Sequence, residues 1–272
     1  LAGIVEQPTE ATFDAFLADR AIDQLRDLAV TWHTSRQPFY LGVHWFGPHL
    51  PYCIPREWFE RFDAGSVELP GSIAETFAGK PRVQKSYSEY WGFDSLSLDT
   101  WRRLIAAYHG YVAMIDAQIQ RIVDAVKCLG LWDSTALLFT ADHGEFTGSH
   151  RLHSKGPAMY DDIYRIPLIA RLPGAPAHRI ESRLASLLDV PPTVLDLAGV
   201  PIPEHMDGCS LVPLIRGDDR TSWRDTILAE FHGLHFPYPQ RMLRTDRYKL
   251  VVNPGDVNEL YDLAVDPDEL HN

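Results

Sequence analysis

Residues 137–155, LLFTADHGEFTGSHRLHSK, decide how the rest of the chain is read. An apolar run, Ala136-Leu137-Leu138-Phe139, stops abruptly at Thr140-Ala141-Asp142-His143-Gly144-Glu145. A buried parallel strand has this look when it delivers polar residues to its carboxyl end, where open α/β sheets bind ligands. Asp142 and His143 can both ligate a metal. Neighbours on a continuing strand point to opposite faces, so a break at Gly144 is needed to turn both toward one ion. A carboxylate with an imidazole suits manganese, zinc or iron, and calcium tolerates one nitrogen among its oxygens. Lys155 follows in Ser154-Lys155-Gly156-Pro157, a cation able to meet an anionic group on a substrate. Two ligands do not complete a metal sphere, so partners are required from elsewhere.

Upstream, a helical period runs over residues 9–35, with Asp19 as a cap for the apolar positions Ala21, Ile22, Leu25, Leu28 and Ala29. Residues 38–46, PFYLGVHWF, read as a largely apolar internal strand. It runs into Gly47-Pro48-His49-Leu50-Pro51-Tyr52, a turn stiffened by two prolines that puts a histidine at a second strand end. His49 is placed to give a proton to a leaving group. Residues 63–97 show no sustained period and carry Tyr87, Tyr90, Trp91 and Phe93, as a long surface loop or substrate wall does. Ser97 caps a helix over residues 98–129 whose stripe is Leu104, Tyr108, Tyr111, Ile115, Ile119, Ile122 and Val126, with Gly130 as its stop.

Downstream, residues 166–173 read as a short strand. Residues 189–199 read as a helix with Asp189 at its start, prolines in its first turn and Gly199 at its end. Four short runs near the C-terminus, 226–231, 241–245, 248–252 and 259–263, suggest a small antiparallel sheet. The expected division is therefore a large α/β part over residues 1–215 and a small antiparallel subdomain over 216–272.

The totals narrow the function. The formal net charge of −12 in 272 residues excludes nucleic-acid binding by bulk electrostatics, so any anion must be held by a local cluster. No apolar run approaches the roughly 18 residues of a membrane span. Cys53, Cys128 and Cys209 lie far apart, in neither a disulfide nor a zinc pattern, which weakly favours a reducing, cytoplasmic compartment and leaves a periplasmic one open. A homo-oligomer is compatible with these totals. Around the opening stretch, Glu145 is read as orienting His143 or a backbone group, and His150 and His153 as structural supports or substrate contacts. His232 and His235 are candidates to reach the cleft from the small subdomain.

These residues resemble the sulfatases of the alkaline phosphatase superfamily, together with the related phosphonate monoester hydrolases and phosphodiesterases. TADHGE, followed at thirteen residues by the lysine of Ser154-Lys155-Gly156, is similar to the family's second metal-binding segment. GPHLPY at 47–52 is similar to the loop whose histidine contacts the sulfate or leaving group. MYDDIYRIPL at 159–168, residues 189–199 with GCSL at 208–211, and RTDRYKL at 244–250 with ELYDL at 259–263 continue the match in order. The resemblance implies an α/β fold, an alkaline-phosphatase-like sandwich with a mostly parallel sheet, incomplete here, plus a small C-terminal α+β subdomain with an antiparallel sheet. It implies Asp142 and His143 as metal ligands for calcium or manganese, with zinc as an alternative, and Lys155 and His49 as catalytic contacts to a small anionic ester, sulfate or phosphate/phosphonate. The family's nucleophile is a formylglycine made from the cysteine of a Cys-x-Pro-Ser-Arg or Cys-x-Ala-Ser-Arg motif, and relatives use serine or threonine. No such motif occurs here. Cys53-Ile54-Pro55-Arg56 lacks the serine and lies in the His49 loop, so it is rejected. The expectation is a C-terminal portion of a sulfatase-like hydrolase, inactive alone, with exposed sheet edges where partner strands are missing. A truncated homologue acting as a binding module is the rival.

Overall fold

A computed structural model describes residues 1–218 and 220–272. The chain divides into two units, Leu1–Pro70 with Ser95–Thr135 and Gly71–Asp94 with Ala136–Asn272.

In the first unit, helix α1 (Phe13–Ser35) packs Ala18, Ala21, Leu25 and Ala29 inward; its small side chains let it lie close to the other long helix of this unit. Its cap is Thr12, whose hydroxyl accepts from the Ala15 N–H at 3.2 Å, and not the expected Asp19. The misreading has a physical cause. Phe13 and Phe16 in the first turn are exposed, so the apolar stripe begins late and imitates a later start. Asp19 sits inside the helix and pairs with Arg121. Strand β1 (Ala2–Val5) pairs in parallel with β2 (Tyr52–Pro55), which runs into the single turn α2 (Arg56–Phe59).

Residues 38–46 correct the expected strand. Phe39, Leu41, Val43 and Trp45 are half-buried and alternate with exposed neighbours, but the segment makes no ladder among the described residues. Apolar alternation reports which side is buried; it does not report whether a neighbouring strand is there to pair with.

Helix α3 (Arg82–Trp91), in the second unit, corrects the aperiodic loop: it buries Val83, Gln84, Tyr87 and Ser88 at helical spacing. Half of that face is polar, and a purely hydrophobic period misses it. Helix α4 (Leu98–Cys128), in the first unit, forms as expected. Ser97 Oγ accepts from the Thr100 N–H at 3.1 Å, and Gly130 follows the end at φ +68°. Leu104, Tyr111, Ile115 and Val126 of its stripe are buried, and Tyr52 and Ile54 of β2 pack against Ala107, Tyr111, Met114 and Ile115.

The second unit contains β3 (Leu137–Thr140), α5 (Asp161–Tyr164) and β4 (Leu168–Arg171). Within this chain β3 pairs antiparallel with β4 and is half-buried rather than internal. Helix α6 (Val190–Leu197) has prolines in its first turn, and α7 (Val212–Arg216) follows. Asp189, the residue before α6, is fully buried: it accepts from the Ser186 and Cys209 N–H groups at 2.8 Å each and from both terminal guanidinium nitrogens of Arg224. The tail is the expected antiparallel meander, β5 (Ile227–Phe231), β6 (Gln240–Arg244), β7 (Tyr248–Val252) and β8 (Glu259–Asp262). Met242, Val251 and Tyr261 face inward while Leu243, Leu250 and Leu260 face out, the period of two that a one-sided sheet requires. Among the described residues no helix is long and apolar enough to cross a membrane.

Candidate active site

β3 ends at Thr140, whose hydroxyl donates to the Pro167 carbonyl at 2.9 Å and ties the strand end to the start of β4. The chain then turns because Gly144 must be glycine. Its N–H donates to the Ile163 carbonyl at 2.8 Å, and a Cβ there would lie 1.8 Å from the Asp162 carbonyl oxygen. This close seat on α5 leaves Asp142 and His143 at the strand end. Asp142 is well exposed, and its Oδ1 accepts from the His143 N–H at 3.0 Å. The His143 ring must place its proton on Nδ1, because Nδ1 lies 2.7 Å from the Gly144 carbonyl, which can only accept. In the neutral imidazole this leaves Nε2 as the acceptor, the tautomer a metal ligand needs. It stands 3.8 Å from Asp142 Oδ2. Two donors each about 2.0–2.5 Å from one cation, at an open angle, lie roughly 3–4 Å apart. The pair therefore fits a shared divalent ion as two of its ligands. Among the described residues no group of three or more His, Cys, Asp or Glu is gathered for a metal.

The loop from Gly144 to Gly156 is held from inside. Phe146 N–H donates to the Ser154 carbonyl at 3.1 Å and Gly148 N–H to that of Leu152 at 2.9 Å, around the buried side chains of Phe146 and Leu152. Thr147, His150, Arg151 and Ser154 all have φ between 42° and 61°. Each such residue costs about 1–2 kcal/mol, and strain of this kind persists only where the surroundings overrule it. Glu145 orients a backbone group, accepting from the Thr147 N–H at 3.4 Å, and its carboxylate lies 3.2 Å from Nδ1 of buried His153. Lys155 closes the loop, half-buried.

Beneath the loop lies a buried polar layer. His150 stacks flat on Tyr160, with ring centroids 3.6 Å apart, and its Nδ1 is 3.2 Å from Glu75 Oε2. Lys80 is fully buried, 2.8 Å from Glu75 and 3.0 Å from the Tyr160 hydroxyl. Burial pushes the Glu75 carboxyl up, but the hydrogen bonds from His150 and Lys80 and the lysine's charge outweigh it and bring it to about 2. Burial holds the His150 imidazole below its ordinary value; the Glu75 hydrogen bond opposes this, and the Lys80 charge reinforces it. Further in, Lys249 lies between Asp161 at 2.5 Å and Glu269 at 2.7 Å. Burial pushes the Glu269 carboxyl up to about 7 against the pull of Lys249. Sequence reasoning missed Glu75, Lys80, Tyr160 and Glu269 as a group. Their only sequence signal is an isolated charge or ring, and the contacts of Lys80 with Tyr160 and Glu269, across 80 and 189 positions, have no local period.

Asp142, His143 and Lys155 thus share one loop of the second unit, while His49 belongs to the first. There, Gly47–Pro48 and Leu50–Pro51 are cis, and His49 Nδ1 donates to the Leu50 carbonyl at 2.7 Å. The His49 ring lies 4.7 Å from that of Phe46. Cys53 is exposed and carries a free thiol. In the second unit, His232 is exposed beside Glu230 at 3.6 Å, and His235 meets the Trp91 ring edge-on at 5.3 Å.

The sulfatase family model matches residues 4–200, and the model for the C-terminal part of N-sulphoglucosamine sulphohydrolase matches residues 148–272. The chain is 32% identical to arylsulfatase K of Gallus gallus, over 92% of this chain and 51% of that protein. It is 31% identical to choline-sulfatase of Rhizobium meliloti (strain 1021), over 100% of this chain and 53% of that protein. Among solved structures, phosphonate monoester hydrolase of Agrobacterium radiobacter superposes with a TM-score of 0.83 at 28% identity, over 98% of this chain and 57% of that one. The α/β architecture with its C-terminal antiparallel sheet is that of these alkaline-phosphatase-like hydrolases. The chain spans about half the length of the curated relatives it matches.

Proposed function

The chain belongs to the sulfatase family, and on that premise we propose that it carries the C-terminal share of the active site of a metal-dependent hydrolase of sulfate esters. One observation carries the reading: Asp142 Oδ2 and His143 Nε2 stand 3.8 Å apart at the end of β3, on the rigid loop that also bears Lys155. A divalent cation, calcium or manganese before zinc, would be held by Asp142 and His143 with ligands from protein outside this chain. When bound, it supplies positive charge to the ester oxygens and to the attacking group. Asp142 presents its carboxylate from an exposed position, and Gly144 fixes the tautomer that aims Nε2 outward. Lys155 neutralises charge on the transferring group, where fixed charge counts most. For His49 the support is the family motif at 47–52: it protonates the departing alcohol oxygen. The nucleophile, a formylglycine in the sulfatase pattern, belongs to sequence outside this chain, so the chain alone does not turn over substrate. The test is Asp142→Ala in the full-length protein, with metal content and aryl sulfate hydrolysis measured together. Both fall if the reading is right, and wild-type turnover in that variant sinks the metal assignment.

The likeness to a phosphonate monoester hydrolase supports a second reading, in which the same residues serve a phosphonate monoester or phosphate diester. Rates on paired aryl sulfate and aryl phosphonate substrates separate the two.

A further inference from the structure

Tyr87, buried on α3, touches the candidate loop at its functional end. Its hydroxyl donates to the Lys155 carbonyl and lies 3.4 Å from that of His153. Its ring lies so flat against Gly156 that a Cβ there would come within 2.7 Å of Tyr87 Cε1. The neighbouring turn of the same segment holds the loop again: Ser88 Oγ lies 3.5 Å from the Arg151 carbonyl, and the Arg151 guanidinium donates to the Asp94 carbonyl at 2.7 Å. On the far side of Tyr87 the rings of Phe93, His235 and Phe236 close at 5.9, 6.2 and 6.3 Å and leave the phenol one position. Burial and the charge of Glu145 push its ionisation up, so it remains a donor across the working pH range. Packing alone does not need the hydroxyl, since phenylalanine fills the same space. The hydroxyl is used on the backbone of Lys155, next to a residue, Ser154, held at φ +61°.

We infer that Tyr87 is a positioning residue for Lys155: its hydroxyl and ring fix the backbone from which the lysine reaches the anionic group. The inference rests on the reading of Lys155 as the anion-binding residue. A double-mutant cycle in the full-length protein tests both. Tyr87→Phe lowers kcat/KM for an aryl sulfate about tenfold. Lys155→Ala lowers it by about a hundredfold or more, and Tyr87→Phe adds nothing further in the Lys155→Ala background. Full activity in Tyr87→Phe, or a double variant in which the two losses multiply, overturns the positioning role while leaving the Lys155 reading in place. Wild-type turnover in Lys155→Ala overturns the anion-site reading itself, and the inference with it. Tyr87→Met, which keeps apolar volume without a hydroxyl, carries the same cycle if Tyr87→Phe does not fold.

Discussion

The loop bearing Asp142, His143 and Lys155 and the buried layer beneath it hold the same kinds of side chain, put to opposite uses. In the buried layer Lys80, Glu75, His150, Lys249, Asp161 and Glu269 are close together and face one another. The loop has fewer charges, but Asp142 faces solvent and His143 keeps its Nε2 lone pair on the same side. On the proposed reading the chemistry falls to the donors held in place and left facing outward, and the dense cluster of ionisable groups serves the fold.

The sharpest way to break this contrast is to remove one member of each. On the proposed reading, Asp142→Ala in the full-length protein lowers turnover by at least about a hundredfold, since it takes away a proposed direct ligand and not merely the support of one. With the metal removed from both proteins, its melting temperature stays within a few degrees of wild type, because the side chain is exposed. Lys80→Ala behaves the other way. It leaves Glu75 charged and buried without its cation and destabilises the fold by about 3–5 kcal/mol, read from denaturant midpoints. Equal loss of stability in the two variants would erase the distinction.

A smaller effect separates the groups within the buried layer by pH. The Glu269 carboxyl is raised in the fold to about 7 from about 4.5. Between those values the folded state holds more protons than the unfolded one, so its contribution is fully present below about 4.5 and lost as pH rises through about 7. Glu75 runs opposite: its contribution stands above the ordinary carboxylate range and disappears as pH falls through about 2. Thermal melts of Glu269→Gln against wild type check this, and the wild-type advantage shrinks from pH 4.5 to 7. An advantage that grows over that interval reverses the assignment. The smallest effect lies in the first unit. Thr12→Ala removes the α1 cap and costs about 1 kcal/mol, whereas Asp19→Ala leaves the helix start intact.

Much of this was legible in the residues themselves. Ser97 and Gly130 bracket α4 because capping is a local contract between a side chain and the next few N–H groups. The C-terminal meander was readable as four short strand-like runs broken by turn residues. The strand end that presents Asp142 and His143 was readable from an apolar run broken by a glycine, and Gly144 proves to be the residue that cannot carry a side chain. What was illegible is what depends on distant partners. The pairing of β3 with β4, the lack of a ladder along residues 38–46 and the Glu75–Lys80–His150 cluster are decided by segments far away in sequence. Tyr87 lay in a stretch without an apolar period because its helix buries amides and hydroxyls beside its ring.

Residues 38–46 have a consequence for handling the protein. Among the described residues they pair with no strand, and Tyr40 and Phe46 turn outward, so most of their peptide donors and acceptors lie open to another extended chain. Such a segment recruits whatever extended backbone comes near, including a second copy of itself. The isolated chain should therefore melt at a temperature that depends on its concentration and on the heating rate, so that its midpoint reports a competition between unfolding and association and not an equilibrium constant.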